Sequence, residues 1–226
     1  MVAHNKNMMP LHIPKKPLPL PKENIIDMED ILILDKTGTR LIGVNIELIE
    51  STGMTVTSID LPEGLTEIGK GSFISCTLLK HIDIPESVRT IEYCAFDGCT
   101  SLRNIDLPEK ITRIADYAFA DCKSLKSIDL PKGLIEMEDD AFYGCTLLKS
   151  IVLPEGLKKI GDFVFQGCKS LKSIHSAITD LENIEVGDCA FSGINMNKCT
   201  LYVPHGKRWA YRHHPVFGKF KKIETE

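Results

Sequence analysis

The sequence predicts a solenoid, and three columns of residues predict it. Isoleucine stands at Ile59, Ile82, Ile105, Ile128, Ile151 and Ile174, proline at Pro62, Pro85, Pro108, Pro131 and Pro154, and phenylalanine at Phe73, Phe96, Phe119, Phe142 and Phe165. Each member follows the last by 23 positions, without an insertion from Val56 to about Ser173. A fixed period of this length means stacked units, none of which buries its apolar side alone.

Residues 1–24 read as a proline-rich disordered tail. Pro10, Pro14, Pro17, Pro19 and Pro21 favour extended polyproline geometry and offer little to bury. Pro14-Lys15-Lys16-Pro17 is a minimal P-x-x-P for a proline-recognising domain, set against the plainer reading of an unpartnered lead-in. Residues 25–55 read as an N-terminal capping hairpin. Ile31-Leu32-Ile33-Leu34 and Leu41-Ile42-Gly43-Val44 flank a polar loop containing Gly38. An uncapped solenoid end would expose the core and a row of unpaired strand groups.

Residues 56–176 hold the repeats. In Leu79-Lys80-His81-Ile82-Asp83-Ile84-Pro85, Ile82 and Ile84 share one face of a short strand, and His81 and Asp83 share the other. Proline has no amide hydrogen to give to the ladder, so it ends the strand and turns the chain. The second half, from Val88 through Ile91 and Phe96 to Cys99, departs from strict alternation and reads as a short extended piece followed by one helical or 3-10 turn. Residues 177–226 read as a degenerate last repeat and a C-terminal cap. Stacking sets equal positions about 4.8 Å apart, so the phenylalanines become an offset ladder within one continuous core.

Composition narrows the function. The chain has 226 residues, of which 43% are hydrophobic and 26% charged, an ordinary globular balance. The net charge of −4 gives no electrostatic reason to expect nucleic acid or an anionic membrane surface. No apolar run approaches the ~18 residues of a membrane span, so membrane insertion is not expected. Charged, amide and proline residues interrupt the first twenty positions before a secretory core can form, and read literally the chain starts in the cytoplasm.

Reactive side chains do not converge. The motifs of serine hydrolases, phosphate-binding loops and zinc proteases are missing, and the acidic residues recur with the repeat, so no catalytic residue, cofactor or metal is expected. Cys76, Cys99, Cys122, Cys145 and Cys168 form one column. Their spacing falls within disulfide reach, but side chains that all point into the core favour buried free thiols. Cys94 with Cys99 is the one local pair to check. His213 and His214 are adjacent and face opposite sides if extended, and His81 and His175 lie four coils apart, so neither pair suits one ion.

The full unit, as in Leu102-Arg103-Asn104-Ile105-Asp106-Leu107-Pro108 through Ala118-Phe119 and Cys122-Lys123-Ser124, resembles the BspA-type leucine-rich repeat family. Thr200-Leu201-Tyr202-Val203-Pro204, followed by Phe217 and Phe220, is similar to the family's closing segment. Where ordinary leucine-rich repeats carry asparagine, this chain has Gly64, Ser87, Lys110, Gly133 and Gly156, so a curved horseshoe does not follow. The resemblance implies a non-enzymatic binding module of the kind displayed on bacterial or protist cell surfaces, used in adhesion, with another protein as partner. An intracellular scaffold or structural protein–protein interaction module is the alternative, and in either case a monomer is expected.

The exposed strand face is the expected contact surface. Its basic column is Lys80, Arg103, Lys126, Lys149 and Lys172, and its polar column is His81, Asn104, Ser127, Ser150 and Ser173. Its acidic column runs Asp60, Asp83, Asp106 and Asp129, then changes to Val152 and His175. Like charges stacked along a ladder repel, and the adjacent opposite column is expected to offset much of that.

Overall fold

The computed structural model describes residues 31–45, 47, 49 and 56–226. The proline-rich segment 1–24 and most of 46–55 lie outside the described residues. A hairpin opens the fold: β1 (Leu32–Leu34) pairs antiparallel with β2 (Arg40–Val44). The loop is held by Asp35, whose Oδ1 accepts the amides of Thr39 and Arg40 at 3.1 and 3.2 Å, and Gly38 takes φ +72°.

The coils then alternate between two sides of the solenoid. One side carries β3 (Ser58–Asp60) and β5 (His81–Asp83), and the other β4 (Glu67–Ile68), β6 (Thr90–Ile91), β7 (Arg113–Ile114) and β8 (Glu136–Met137). The C-terminal coils follow as β9 (Ser150–Leu153), β10 (Lys159–Ile160), β11 (Ser173–Ser176), β12 (Glu185–Val186), β13 (Thr200–Val203) and β14 (Lys222–Thr225). Between β13 and β14 lie the helix α1 (Arg208–His213) and a 3-10 turn at Phe217–Lys219.

The continuous ladder is not on the strand that proline terminates. It is the eight-stranded sheet β1-β2-β4-β6-β7-β8-β10-β12, onto which the hairpin docks through Arg40↔Glu67 and Leu41↔Ile68. The proline-bounded side splits into β3-β5, an isolated bridge Asp106↔Asp129, and β14-β13-β11-β9. Proline has no amide to donate and ends each strand early, whereas the dipeptides of the second side have none nearby. One hydrogen bond still spans every step on the broken side. The amides of Lys80, Arg103, Lys126, Lys149 and Lys172 donate to Thr57, Lys80, Arg103, Lys126 and Lys149 at 2.8, 3.3, 3.1, 3.2 and 2.9 Å.

The third segment of each coil is a chain of tight turns. Its 3-10 character survives as bonds such as Cys99 N to Phe96 O at 3.1 Å, but left-handed residues interrupt it before it becomes a helix. Cys94, Tyr117, Asp140 and Phe163 hold φ +55°, +56°, +57° and +56° in one column. Non-glycine residues pay for this conformation with of order 1 kcal/mol each. Bonds to the next coil hold them there: Tyr117 N donates to Asp139 O at 3.1 Å and Asp140 N to Asp162 O at 2.9 Å.

The core follows the sequence columns. Phe73, Phe96, Phe119, Phe142, Phe165 and Phe191 stack with centroids 5.1, 5.3, 5.5, 5.9 and 5.5 Å apart and planes within 10° of parallel. Phe191 then meets Phe217 and Phe220 at 45° and 77°, so the stack ends where the cap begins. Tyr211 of α1 is buried, donates to Ile178 O at 2.8 Å, and lies 2.6 Å from Ser176 Oγ, which ties the cap to the last full coil.

The eight cysteines are free. In the column, Cys99, Cys122, Cys145 and Cys168 each donate S–H to the carbonyl of Phe73, Phe96, Phe119 and Phe142, at 3.2, 3.3, 3.2 and 3.3 Å. Burial pushes all four thiols up, Cys168 to about 12. Thiolate is the reactive form, so these positions are chemically quiet.

Two outcomes follow from this core. Phe119→Ala removes a ring with stacked neighbours on both sides and is expected to cost ~3–5 kcal/mol and to divide urea unfolding into more than one step; one sharp transition with a small shift contradicts it. A water-soluble maleimide at mildly alkaline pH should leave Cys99, Cys122, Cys145 and Cys168 unmodified until denaturant opens the coils. Labelling of any of them in the native protein at the rate of a free thiol contradicts their burial.

Candidate binding face

Strand geometry puts alternate side chains of β5, β9 and β11 outward, and the 23-residue register aligns them between coils. The register pairs Ser58↔His81, Asp60↔Asp83, Ser150↔Ser173 and Val152↔His175 place each column in a row along the solenoid. Asn104 and Ser127 occupy the same polar row by column, and Asp106 bridges Asp129 in the acidic row. The structure brings the predicted residues together as three rows rather than one pocket. His175 lies in the acidic row, separate from His81.

The rows do not balance one another as the sequence suggested. Among the described residues, none of Lys80, Arg103, Lys126, Lys149 and Lys172 has a carboxylate within ion-pair distance. The basic and acidic residues sit three positions apart, the basic ones just outside the strands, and the acidic row is served differently. His81 Nε2 takes Asp83 Oδ1 at 2.9 Å. All five basic residues are exposed.

At the C-terminal coils the outer row changes character. Val152 is 53% exposed, His175 stacks on Tyr202 with ring centroids 4.6 Å apart and planes 12° from parallel, and β14 adds Glu224. His175 Nδ1 lies 3.0 Å from Glu226 Oε2. Tyr202 escaped the column reading because Ile174 aligns with Leu201, 27 positions later rather than 23. The signal was present in Leu201-Tyr202-Val203-Pro204, which repeats the apolar, polar, apolar, proline order of the earlier strands.

On the opposite side charged residues pair between coils. Arg113 Nε lies 3.0 Å from Glu138 Oε1 and 3.8 Å from Glu136, and Lys159 Nζ donates to Glu138 Oε2. Burial alone would push the Glu138 carboxyl up, but hydrogen bonds from Lys159 and Arg113 outweigh it and the net shift is down. Aromatic residues mark the turn side and the cap. Tyr93 meets Tyr117 edge-on at 5.9 Å beneath Lys70, and Asp140 pushes the Tyr117 hydroxyl up to about 12. Trp209 is 72% exposed and stacks on His213 at 4.2 Å.

Nothing here converges on a reacting atom. His213 Nδ1 turns to Trp209 O, while His214 Nδ1 accepts the amides of Val216 and Phe217, so the two rings serve separate local contacts. Among the described residues, no three His, Cys, Asp or Glu side chains form a group able to hold a metal ion, and no helix is long and apolar enough to cross a membrane. A cavity of about 200 Å³ beside the first coil is lined by apolar residues such as Val44, Ile59 and Leu79, with Cys76, whose thiol burial pushes up to about 11.

Comparison with known proteins agrees with this geometry. The family described as the BspA type Leucine rich repeat region matches in six copies, over residues 51–172 and 136–207. A solved leucine-rich repeat protein of T. pallidum is 25% identical with a TM-score of 0.56, over 86% of this chain and 94% of that one. The pneumococcal vaccine antigen PcpA is 20% identical with a TM-score of 0.50, over 87% of this chain. The chain spans 46% of the length of that structure, and the likeness there is one of fold. No curated protein matches the chain.

The Glu138 network sets a pH dependence. A carboxyl depressed in the folded state adds stability above its unfolded value, 4.5, and loses it as pH falls through the folded value. Glu138→Gln should therefore lower stability at neutral pH, and the gap to the parent should close at pH below 4.5. Denaturant titrations across that range check it, and a gap independent of pH would exclude a charge-based role for Glu138.

Proposed function

Because the chain belongs to the BspA-type leucine-rich repeat family, we propose that it is a non-enzymatic module that binds another protein, in adhesion or recognition, through its exposed strand face. Leucine-rich repeat proteins work through protein–protein interaction, and the observation that carries the choice of face is the row of five exposed cations lacking ion pairs among the described residues. Charges that contribute to the fold are paired across coils, as at Arg113, Glu138 and Lys159. Charges set in a row by the backbone and without internal partners are available to a partner.

The recognition surface in this reading comprises Lys80, His81, Asp83, Arg103, Asn104, Asp106, Lys126, Ser127, Asp129, Lys149, Ser150, Lys172, Ser173 and His175. Tyr202 and Val152 extend it, since a half-buried aromatic and an exposed aliphatic residue in the same row supply apolar contact next to charge. A photo-crosslinking residue placed at Ser127, in the middle of the face, should form partner adducts in cells that make the protein. The same residue at Ile135, on the side of the continuous ladder, should not. Adducts from Ile135 alone, or equal yields from both, would overturn the choice of face.

A further inference from the structure

We propose that the basic row is a track for an α-helix of the partner that carries one carboxylate per turn along one face. This rests on the strand-face reading above and names what would lie on it. The row is continuous in the backbone, because the amide of each basic residue from Arg103 to Lys172 donates to the carbonyl of the one before. Its members therefore rise by one strand spacing each, and five of them cover about 19 Å. Lys123 and Lys169, three positions earlier in their coils, are also exposed and thicken the edge.

Charge alone selects an anionic partner, and spacing selects its form. Carboxylates on one face of an extended strand recur every 6.6–6.8 Å or so, about 27 Å over four steps, and run out of register with the coils after two. A helix presents a side chain on the same face about every 5.4 Å, so four turns span about 22 Å and drift by only half a coil. Flexible lysine side chains absorb an offset of that size. The acidic row runs beside the basic one, three positions further along each coil. Asp83, Asp106 and Asp129 would then meet the helix's other flank, and Val152, His175 and Tyr202 would meet an apolar stretch at one end.

A pair of helical peptides about four turns long tests this. Both have the same glutamate and alanine content. One places glutamate on a single stripe at i, i+3/i+4 and i+7, and the other spreads it around the helix. With the full chain, the striped peptide is expected to bind roughly tenfold tighter, to weaken as salt is added, and to lose binding to the double variant Lys126→Glu/Lys149→Glu. Thermal unfolding of that variant should match the parent, because neither side chain has an ion pair among the described residues. Equal affinity for the two peptides overturns the helix, as does undiminished binding to the double variant, or heparin binding the parent as tightly as the striped peptide. Adducts at Ser127 without stripe selectivity would leave the face standing and remove the helix. Absence of Ser127 adducts would remove both.

Discussion

The structure depends on main-chain hydrogen bonding between coils of equal length. With a 23-residue step, amides on all three sides of the turn find the equivalent carbonyl one coil away, as Lys126 does Arg103, Glu138 does Ile114 and Phe119 does Ala141. The register is the constraint from which the other regularities follow. It brings equal side chains together, so that phenylalanine meets phenylalanine and lysine follows lysine, and it decides whether those meetings help or hurt. A stacked aromatic pair is worth about 0.5–1.5 kcal/mol beyond its buried area, whereas stacked cations repel. The fold accepts the second because the first and the backbone ladder come with it.

The same constraint explains the cysteine column and the strained turn. Each column thiol donates to a phenylalanine carbonyl that also accepts an amide three residues on in its own coil. A buried carbonyl with two lone pairs is better served by two donors, and a thiol supplies the second without the desolvation cost of a hydroxyl. At the left-handed column, Gly71 is followed by Cys94, Tyr117, Asp140 and Phe163, although each non-glycine residue is strained there. Bonds to the coils on either side fix the backbone, and the side chains vary, Cys94 and Asp140 being buried. Tyr117 and Phe163 are exposed in part.

Much of this was legible in the sequence because periodicity reports the core. The isoleucine, phenylalanine and cysteine columns, the opening hairpin around Gly38 and the C-terminal cap all follow from spacing and turn chemistry. Three features did not. The continuous ladder lies on the side of Ile68, Ile91 and Ile114, where two-residue strands leave too short a pattern to detect. Left-handed positions at Tyr117 and Asp140 carry no glycine to announce them. The balance of the charge columns depended on whether Lys126 and Asp129 meet, and the two form no ion pair, which composition does not express. The face itself was visible from the alternation at His81 and Asp83. Tyr202 was hidden by the longer interval before Leu201.

The two sides of the solenoid use their charges differently. Where the ladder is continuous, the charged residues bridge coils: Arg40 reaches Glu67 at 2.6 Å, and Arg113 and Lys159 converge on Glu138. Where proline cuts the strands short, the bond from the amide of each basic residue still spans every step, and those residues have no carboxylate within reach among the described residues. Substitution on that side changes the surface with little effect on the register, since the amide rather than the side chain holds it. Exposed substitutions without partners usually move stability by less than about 0.5 kcal/mol. A repeat protein built in this way can vary its outer rows almost independently of its fold. The departure from regularity at His175 and Tyr202 brings its own tie between coils, because the two rings stack and His175 lies 3.0 Å from Glu226, so the row can change its chemistry there without loosening the register.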